Sequence, residues 1–180
     1  MHGMYEMMTS AQLKNLMPLL KRQVKRFVYT AEKNLAPFSA SFHEQKEFYR
    51  IDNALPLTVI TPIPREEINV DIDDFLMCLV ARAIPEKGWI EAIETVVWAN
   101  ERSNRKIHLI LIGEGSEFDR LNGLIRYEFI HFLGFKANIR DYFATADIGF
   151  LPSRFKGESF LLVIIYCLNA GKPVLASNIG

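Results

Sequence analysis

Three short segments hold the residues best suited to gripping an anion. Arg82, Lys87 and Gly88 lie in the first, ARAIPEKG. Gly113-Glu114-Gly115 form the second. Ser153, Arg154, Lys156, Gly157 and Glu158 crowd the third, which runs straight into the apolar stretch SFLLVIIYCLNAG. Cations, glycine turns and the unsatisfied N–H groups of a helix start make a site for a phosphate or diphosphate when they meet. Each segment alone is weak, since a single Arg or Lys is more often a solvated surface charge. Their meaning depends on whether the fold brings them to one rim.

The elements needed for that are legible from residue 75 onward. FLMCLVA (75–81) is a continuous apolar run, the pattern of a strand covered on both faces. Residues 89–103 then carry Ile90, Ile93, Val96, Val97 and Trp98 at helical spacing. Further strands are read at 106–113, 129–134, 147–152 and 172–177. Further helices are read at 117–128, 138–146 and 159–171, with Gly171 as a C-terminal stop. This alternation predicts a parallel sheet covered by helices. In such sheets ligands sit beyond the C-terminal strand ends. The three anion-holding segments all fall there.

Composition sets the outer bounds. The chain has 180 residues, 49% hydrophobic and 23% charged, with 21 basic against 21 acidic side chains. That balance argues against global disorder and against nucleic-acid binding driven by bulk charge, so no nucleic-acid partner is expected. The charges are unevenly placed. Residues 11–50 hold eight Lys/Arg against three Glu, whereas REEINVDIDD (65–74) holds five acids against one Arg. Pro56, Pro62 and Pro64 between them disfavour a helix and suit an extended connector, placing a boundary near residues 60–72. The expected division is 1–64 and 65–180.

In the N-terminal third, Leu13, Leu16, Met17, Leu20, Val24 and Phe27 recur at helical spacing, with Pro18 expected to kink or interrupt the helix. A surface helix packed on a neighbour is the simpler reading. Contact of the basic amphipathic region 11–28 with anionic lipid is the sharper one. Phe27–Tyr29 can open a short strand. Ser41 and Glu44 have the spacing of a capping box, with a helix expected through about Phe48. LTVIT (57–61) reads as a strand.

Several chemistries are excluded by spacing. The segment Gly113-x-Gly115 lacks the third glycine of a dinucleotide fingerprint, because Phe118 stands there. There is no GxxxxGK[ST] phosphate loop and no GxSxG elbow. The histidines, His2, His43, His108 and His131, form no metal-ligand cluster by spacing. His108 and His131 lie within strand runs and are expected to be structural. Asp71-x-Asp73 precedes the first strand and reads as a solvated acidic linker. No metal site is expected. Cys78 and Cys167 sit in apolar runs with no disulfide framework, which implies a reducing, cytoplasmic setting. The N-terminus lacks the order of a signal peptide, and no apolar stretch is long enough to span a bilayer.

Taken in order, VARAIPEKG (80–88), LILIGEG (109–115), FLGF (132–135), NIRDYFATADIGFLPS (138–153) and ESFLLVIIYCLNAGKPVLAS (158–177) resemble the C-terminal, donor-binding half of family 4 retaining glycosyltransferases. These are of the two-Rossmann-domain GT-B type, among the glycosyl transferases of group 1. The resemblance covers about residues 52–180. It implies a Rossmann-like parallel sheet with helices on both faces, a partial GT-B fold, preceded by the tail of a second, acceptor-side domain. It implies that Arg82 and Lys87 grip a donor diphosphate and that Glu158, the first Glu of an E-x7-E motif, lies against the donor sugar. The amides of Ser159, Phe160 and Leu161 would face the diphosphate and sugar. Gly113 and Gly115 would stay near the nucleotide, and Phe135 near the base.

Two positions depart from that pattern. Seven residues beyond Glu158 stands Tyr166 rather than the second Glu, which contacts the ribose in the family. Leu161 stands where the family favours Gly. The expected activity is transfer of a sugar from a UDP- or GDP-linked donor to a saccharide or lipid-linked acceptor, with retention of configuration and no other cofactor. Contact with the inner face of the cell membrane would follow from region 11–28. The alternatives are a non-catalytic, glycosyltransferase-like binding or scaffold protein, and an unrelated doubly wound nucleotide-binding domain such as an oxidoreductase. The chain is read as part of a longer enzyme and is expected to be inactive alone.

Overall fold

A computed structural model of the chain describes residues 8–56, 58–155 and 162–179. They fall into two compact units that divide between Ala54 and Leu55, with 162–179 belonging to the second.

The first unit is built on an aromatic cluster. Helix α1 (Ser10–Gln23) opens with a reciprocal cap. The Thr9 hydroxyl accepts the Gln12 N–H, and the Gln12 amide oxygen accepts the Thr9 N–H at 2.8 Å. It passes through Pro18 as one helix. The lost backbone bond is outweighed by the face that packs inward, with Leu20 buried and Leu13, Leu16, Met17 and Val24 beside it. These residues meet Phe27, Phe38 and Phe42. The apolar side of region 11–28 is thus used internally. The expected capping box at Ser41 does not form. Ser39 is the cap of a one-turn helix α2 (Ala40–His43), and Glu44 ends it. Strand β2 (Glu47–Arg50) follows instead of a longer helix, and pairs in parallel with β1 (Arg26–Tyr29). The cause is Phe48, whose ring stacks on Phe27 at 5.0 Å and on His43 at 4.6 Å.

The second unit is a five-stranded parallel sheet, β3 (Phe75–Val80), β4 (Ile107–Ile112), β5 (Ile130–Gly134), β6 (Ile148–Leu151) and β7 (Val174–Ala176), in the spatial order β5-β4-β3-β6-β7. The helices are α3 (Trp89–Asn100), α4 (Ser116–Leu124), α5 (Ile139–Thr145) and α6 (Leu162–Asn169). Alternation along each strand divides the core. Met77, Leu79, Leu109 and Leu111 pack with α3 and α4 on one face. Leu76, Cys78, Val80, Ile110 and Ile112 pack with α5 and α6 on the other. The helices change face between β3 and β6, which makes that junction the switch point of a doubly wound sheet.

The lower rim is tied by Arg65, which starts a single 3-10 turn (Arg65–Ile68). Its side chain, only 12% exposed, donates through the guanidinium to the Asp74 carbonyl at 2.7 Å and pairs with Asp147 at 3.0 Å. Asp147 also accepts the Leu76 N–H. Thr58–Thr61 do not form the expected strand, and Leu57 lies outside the described residues. The Thr61 N–H goes to Asp141 instead of a ladder.

His108 and His131 are structural, as read. His108 Nε2 meets Asp74 at 3.0 Å, and its Nδ1 meets His131 Nε2 at 2.8 Å, with the two rings stacked. Burial, then the neighbouring His108 and Lys106, push His131 down to about 4. His131 is therefore neutral in the fold but takes a proton near pH 6.5 once unfolded. The unfolded chain binds more protons between those values, so stability falls as pH drops from about 6.5 to about 4 and levels below. Thermal melts across this range should show the midpoint dropping by several degrees. His131→Gln should flatten that slope.

Candidate functional site

The upper rim is shaped by how the loop after β4 seats on the loop after β3. Ala83 N–H donates to the Glu114 carbonyl at 2.8 Å, and Glu117 N–H donates to the Ala83 carbonyl at 2.8 Å. Gly113 and Gly115 make this approach possible. Both have φ near +145°, and an added Cβ would lie 1.9 Å from the Ala81 carbonyl oxygen at Gly113 and 2.4 Å from that of Ala83 at Gly115. Their immediate role is close backbone packing against Ala81 and Ala83, the residues on either side of Arg82.

The loop after β6 closes the other side of the switch point. Arg154 N–H donates to the Glu86 carbonyl at 2.7 Å, and its guanidinium pairs with Glu91 at 2.6 Å. Ser153 Oγ accepts the Phe155 N–H at 3.2 Å. Phe155 is thereby held beside the loop after β3. Lys87 Nζ lies 4.7 Å from the centre of its ring, and the Arg82 guanidinium carbon lies 5.9 Å away. The two cations read from sequence do converge at one point of the rim.

Next to them opens a cleft of about 690 Å³. Arg82, Gly113, Glu114, Phe135, Lys136, Asn138, Arg140 and Tyr166 are among its lining residues. Of the residues singled out in the sequence, Arg82, Gly113, Phe135 and Tyr166 share this cleft. Lys87 and Gly115 do not line it. Lys87 stands at Phe155, and Gly115 ends the second loop at the start of α4, packed on the Ala83 backbone. Glu158, Ser159, Phe160 and Leu161 lie outside the described residues, as do Lys156 and Gly157. Phe135 is 67% exposed at the cleft mouth.

Three contributors were missed in the sequence. Arg140 lies 5.1 Å from the centre of the Tyr166 ring and donates to the Pro56 carbonyl at 2.8 Å and to the Thr58 hydroxyl. Lys136, four residues earlier, adds a second cation to this side. Phe155 is the third. The spacing of Lys136 and Arg140 just after a strand was the available signal for the first two. Among the described residues, no group of three or more His, Cys, Asp or Glu is placed to hold a metal ion. No helix there is long and apolar enough to cross a membrane.

A doubly wound parallel sheet with a cleft at its C-terminal strand ends is a Rossmann-like α/β domain, the class in which ligands bind at that crevice. The family model of glycosyl transferases group 1 matches residues 62–180, and the chain belongs to that family. This corrects the family 4 reading: the match supports group 1 and not the narrower assignment. The chain is 30% identical over 154 residues to D-inositol 3-phosphate glycosyltransferase of Gordonia bronchialis, covering 73% of this chain and 33% of that protein. Its fold is similar to that of Anabaena HepE, solved with UDP-glucose, at a TM-score of 0.73 and 20% identity over 97% of this chain and 50% of that one. It is also similar to WaaG, a glycosyltransferase involved in lipopolysaccharide biosynthesis, at a TM-score of 0.62 and 20% identity over 84% and 44%. The likeness shows the fold, a Rossmann-like part of GT-B. The chain spans about half the length of these solved structures and a third of the curated relative.

If the two glycines seat the second loop, Gly113→Ala should lower the thermal midpoint by roughly 5 °C or more. Gly123→Ala, where an added Cβ meets nothing within 4 Å inside α4, should leave it unchanged or slightly raised.

Proposed function

We propose that this chain carries the donor-binding part of a glycosyltransferase that moves a sugar from a nucleotide diphosphate sugar to an acceptor. In this reading residues 1–64 are the end of the acceptor-side domain with its connector, and 65–180 bind the donor. The observation that supports it best is the meeting of Arg82 and Lys87 over Phe155, beside a cleft large enough for a nucleoside.

Breaking the bond from the anomeric carbon to the diphosphate oxygen builds negative charge on the leaving group and positive charge on the sugar ring. Arg82 and Lys87 stabilise the former by fixed charge, without giving up a proton. Glu158 orients the sugar and opposes the positive charge. Ser159, Phe160 and Leu161 supply backbone amides. Phe135 and Tyr166 flank the nucleoside, and UDP and GDP are the bases to test first. No side chain in this set is a covalent nucleophile, and we assign retention of configuration by attack from the face the leaving group vacates. The acceptor is a saccharide or lipid-linked sugar. Because the apolar side of α1 packs on Phe27, Phe38 and Phe42, any membrane contact would run through its outward cations, Lys14, Lys21 and Arg22.

Tyr166 favours a second reading. It places a neutral ring under Arg140 where the family pattern has a carboxylate, as expected of a binding protein that has lost turnover. Calorimetry with UDP and GDP, joined to donor hydrolysis assays, separates the two. Arg82→Ala and Lys87→Ala should each weaken the preferred nucleotide by about ten-fold or more, the worth of a hydrogen bond to a charged group. Glu158→Ala should leave that affinity intact and cut turnover at least about a hundred-fold. Binding without hydrolysis in the unmodified protein supports the second reading. No binding of any nucleoside diphosphate defeats both.

A further inference from the structure

Glu114 and Lys136 line the same cleft, and among the described residues neither side chain has a polar or charged partner, the other included. Their charged neighbours in the cleft wall are engaged. Asp141 accepts the Thr61 N–H at 3.0 Å and the Asn138 amide at 3.1 Å, and Arg140 donates to Pro56 and Thr58. Glu114 is exposed and Lys136 half-buried. They stand on neighbouring loops, joined where the Gly113 N–H donates to the Gly134 carbonyl at 2.9 Å. Their position follows the strand order. Phe155 lies beyond β6, Arg82 beyond β3, Glu114 beyond β4 and Lys136 beyond β5. Neighbouring strands are about 4.8 Å apart. A nucleotide whose diphosphate lies at Arg82 therefore carries its base over one or two further strands, to Glu114, Lys136 and the exposed ring of Phe135.

We propose that Glu114 and Lys136 select guanine as the base, so that the donor is a GDP-linked sugar. The inference rests on the donor-site reading above and narrows it to one class of donor. Once a base covers these two groups and displaces their water, each needs a partner on the base. A carboxylate offers only acceptors and an ammonium only donors. Guanine presents two adjacent donors, N1–H and the N2 amine, next to two adjacent acceptors, O6 and N7. The donors fit one carboxylate as a bidentate pair, and the acceptors fit an ammonium. Uracil has a single N3–H set between two carbonyl oxygens, which repel a carboxylate. Adenine and cytosine set a ring-nitrogen acceptor beside their amine, so a carboxylate gains one bond and meets one lone pair. Guanine is the base that answers both charges at once.

Calorimetry on the full, unmodified chain gives the first test. GDP should bind about ten-fold or more tighter than UDP, ADP or CDP, the worth of a hydrogen bond to a charged group. Inosine diphosphate, which differs from GDP only in lacking the N2 amine, should bind about ten-fold weaker than GDP. Glu114→Gln, at an exposed position, should keep the melting temperature and weaken GDP by about ten-fold. The same variant should strengthen xanthosine diphosphate, whose C2 carbonyl accepts the new amide N–H, and leave UDP unchanged. Lys136→Met should weaken GDP by a similar factor. UDP or inosine diphosphate bound as tightly as GDP overturns the choice of guanine and leaves the donor site standing. A Glu114→Gln protein whose GDP and UDP affinities fall together does the same. If no nucleoside diphosphate binds the unmodified chain, the donor site and this inference fall together.

Discussion

The upper rim of the sheet depends on one close backbone approach. The loop after β4 lies directly on the carbonyl groups of Ala81 and Ala83, bonded in both directions through Ala83. Any side chain at Gly113 or Gly115 would collide with those oxygens. With this contact made, Arg82 and Gly113 join the cleft wall, and α4 begins where Glu117 can bond back to Ala83. Without it the cleft would lose the wall that Gly113 and Glu114 supply. Backbone geometry therefore sets where the two loops can stand relative to each other at the rim.

The rest of the fold serves to hold that rim still. The apolar alternation of β3 and β4 packs helices on both faces, leaving the strand ends as the exposed crevice. Arg65 binds the opposite ends of β3 and β6 together, and the Asp74–His108–His131 chain fixes β4 against β5 at the same level. Polar groups at the lower rim are thus paired and inert, whereas cations at the upper rim gather on aromatic faces. Arg140 over Tyr166 in the cleft wall, and Arg82 with Lys87 at Phe155 beside it, repeat that arrangement.

Much of this was legible in the residues. The five apolar strands and four helices of the second unit follow from period and length, because a buried parallel strand admits little but aliphatic side chains. The loops that meet at the rim, those after β3 and β4 and the described part of the one after β6, were legible for the same reason, since strand ends fix which loops share a rim. Local signals misled where distant packing decided. Ser41 and Glu44 have capping-box spacing, yet Phe48 is drawn into the aromatic cluster and its segment pairs as a strand. Thr58–Thr61 look β-prone, yet their polar groups are taken by Arg140 and Asp141, about eighty positions away. Phe155 gave no signal of its own, because a lone Phe in a loop acquires meaning only once two cations are seen above it.

The central claim is that the diphosphate of a nucleotide lies between Arg82 and Lys87 at the switch point of the sheet. A crystal structure of the protein with UDP tests it most directly. The account places diphosphate oxygens within hydrogen-bond distance of Arg82 and Lys87, with the nucleoside in the cleft lined by Gly113, Phe135 and Tyr166. A diphosphate bound instead at Lys136 and Arg140, with Arg82 and Lys87 left facing solvent, would contradict it.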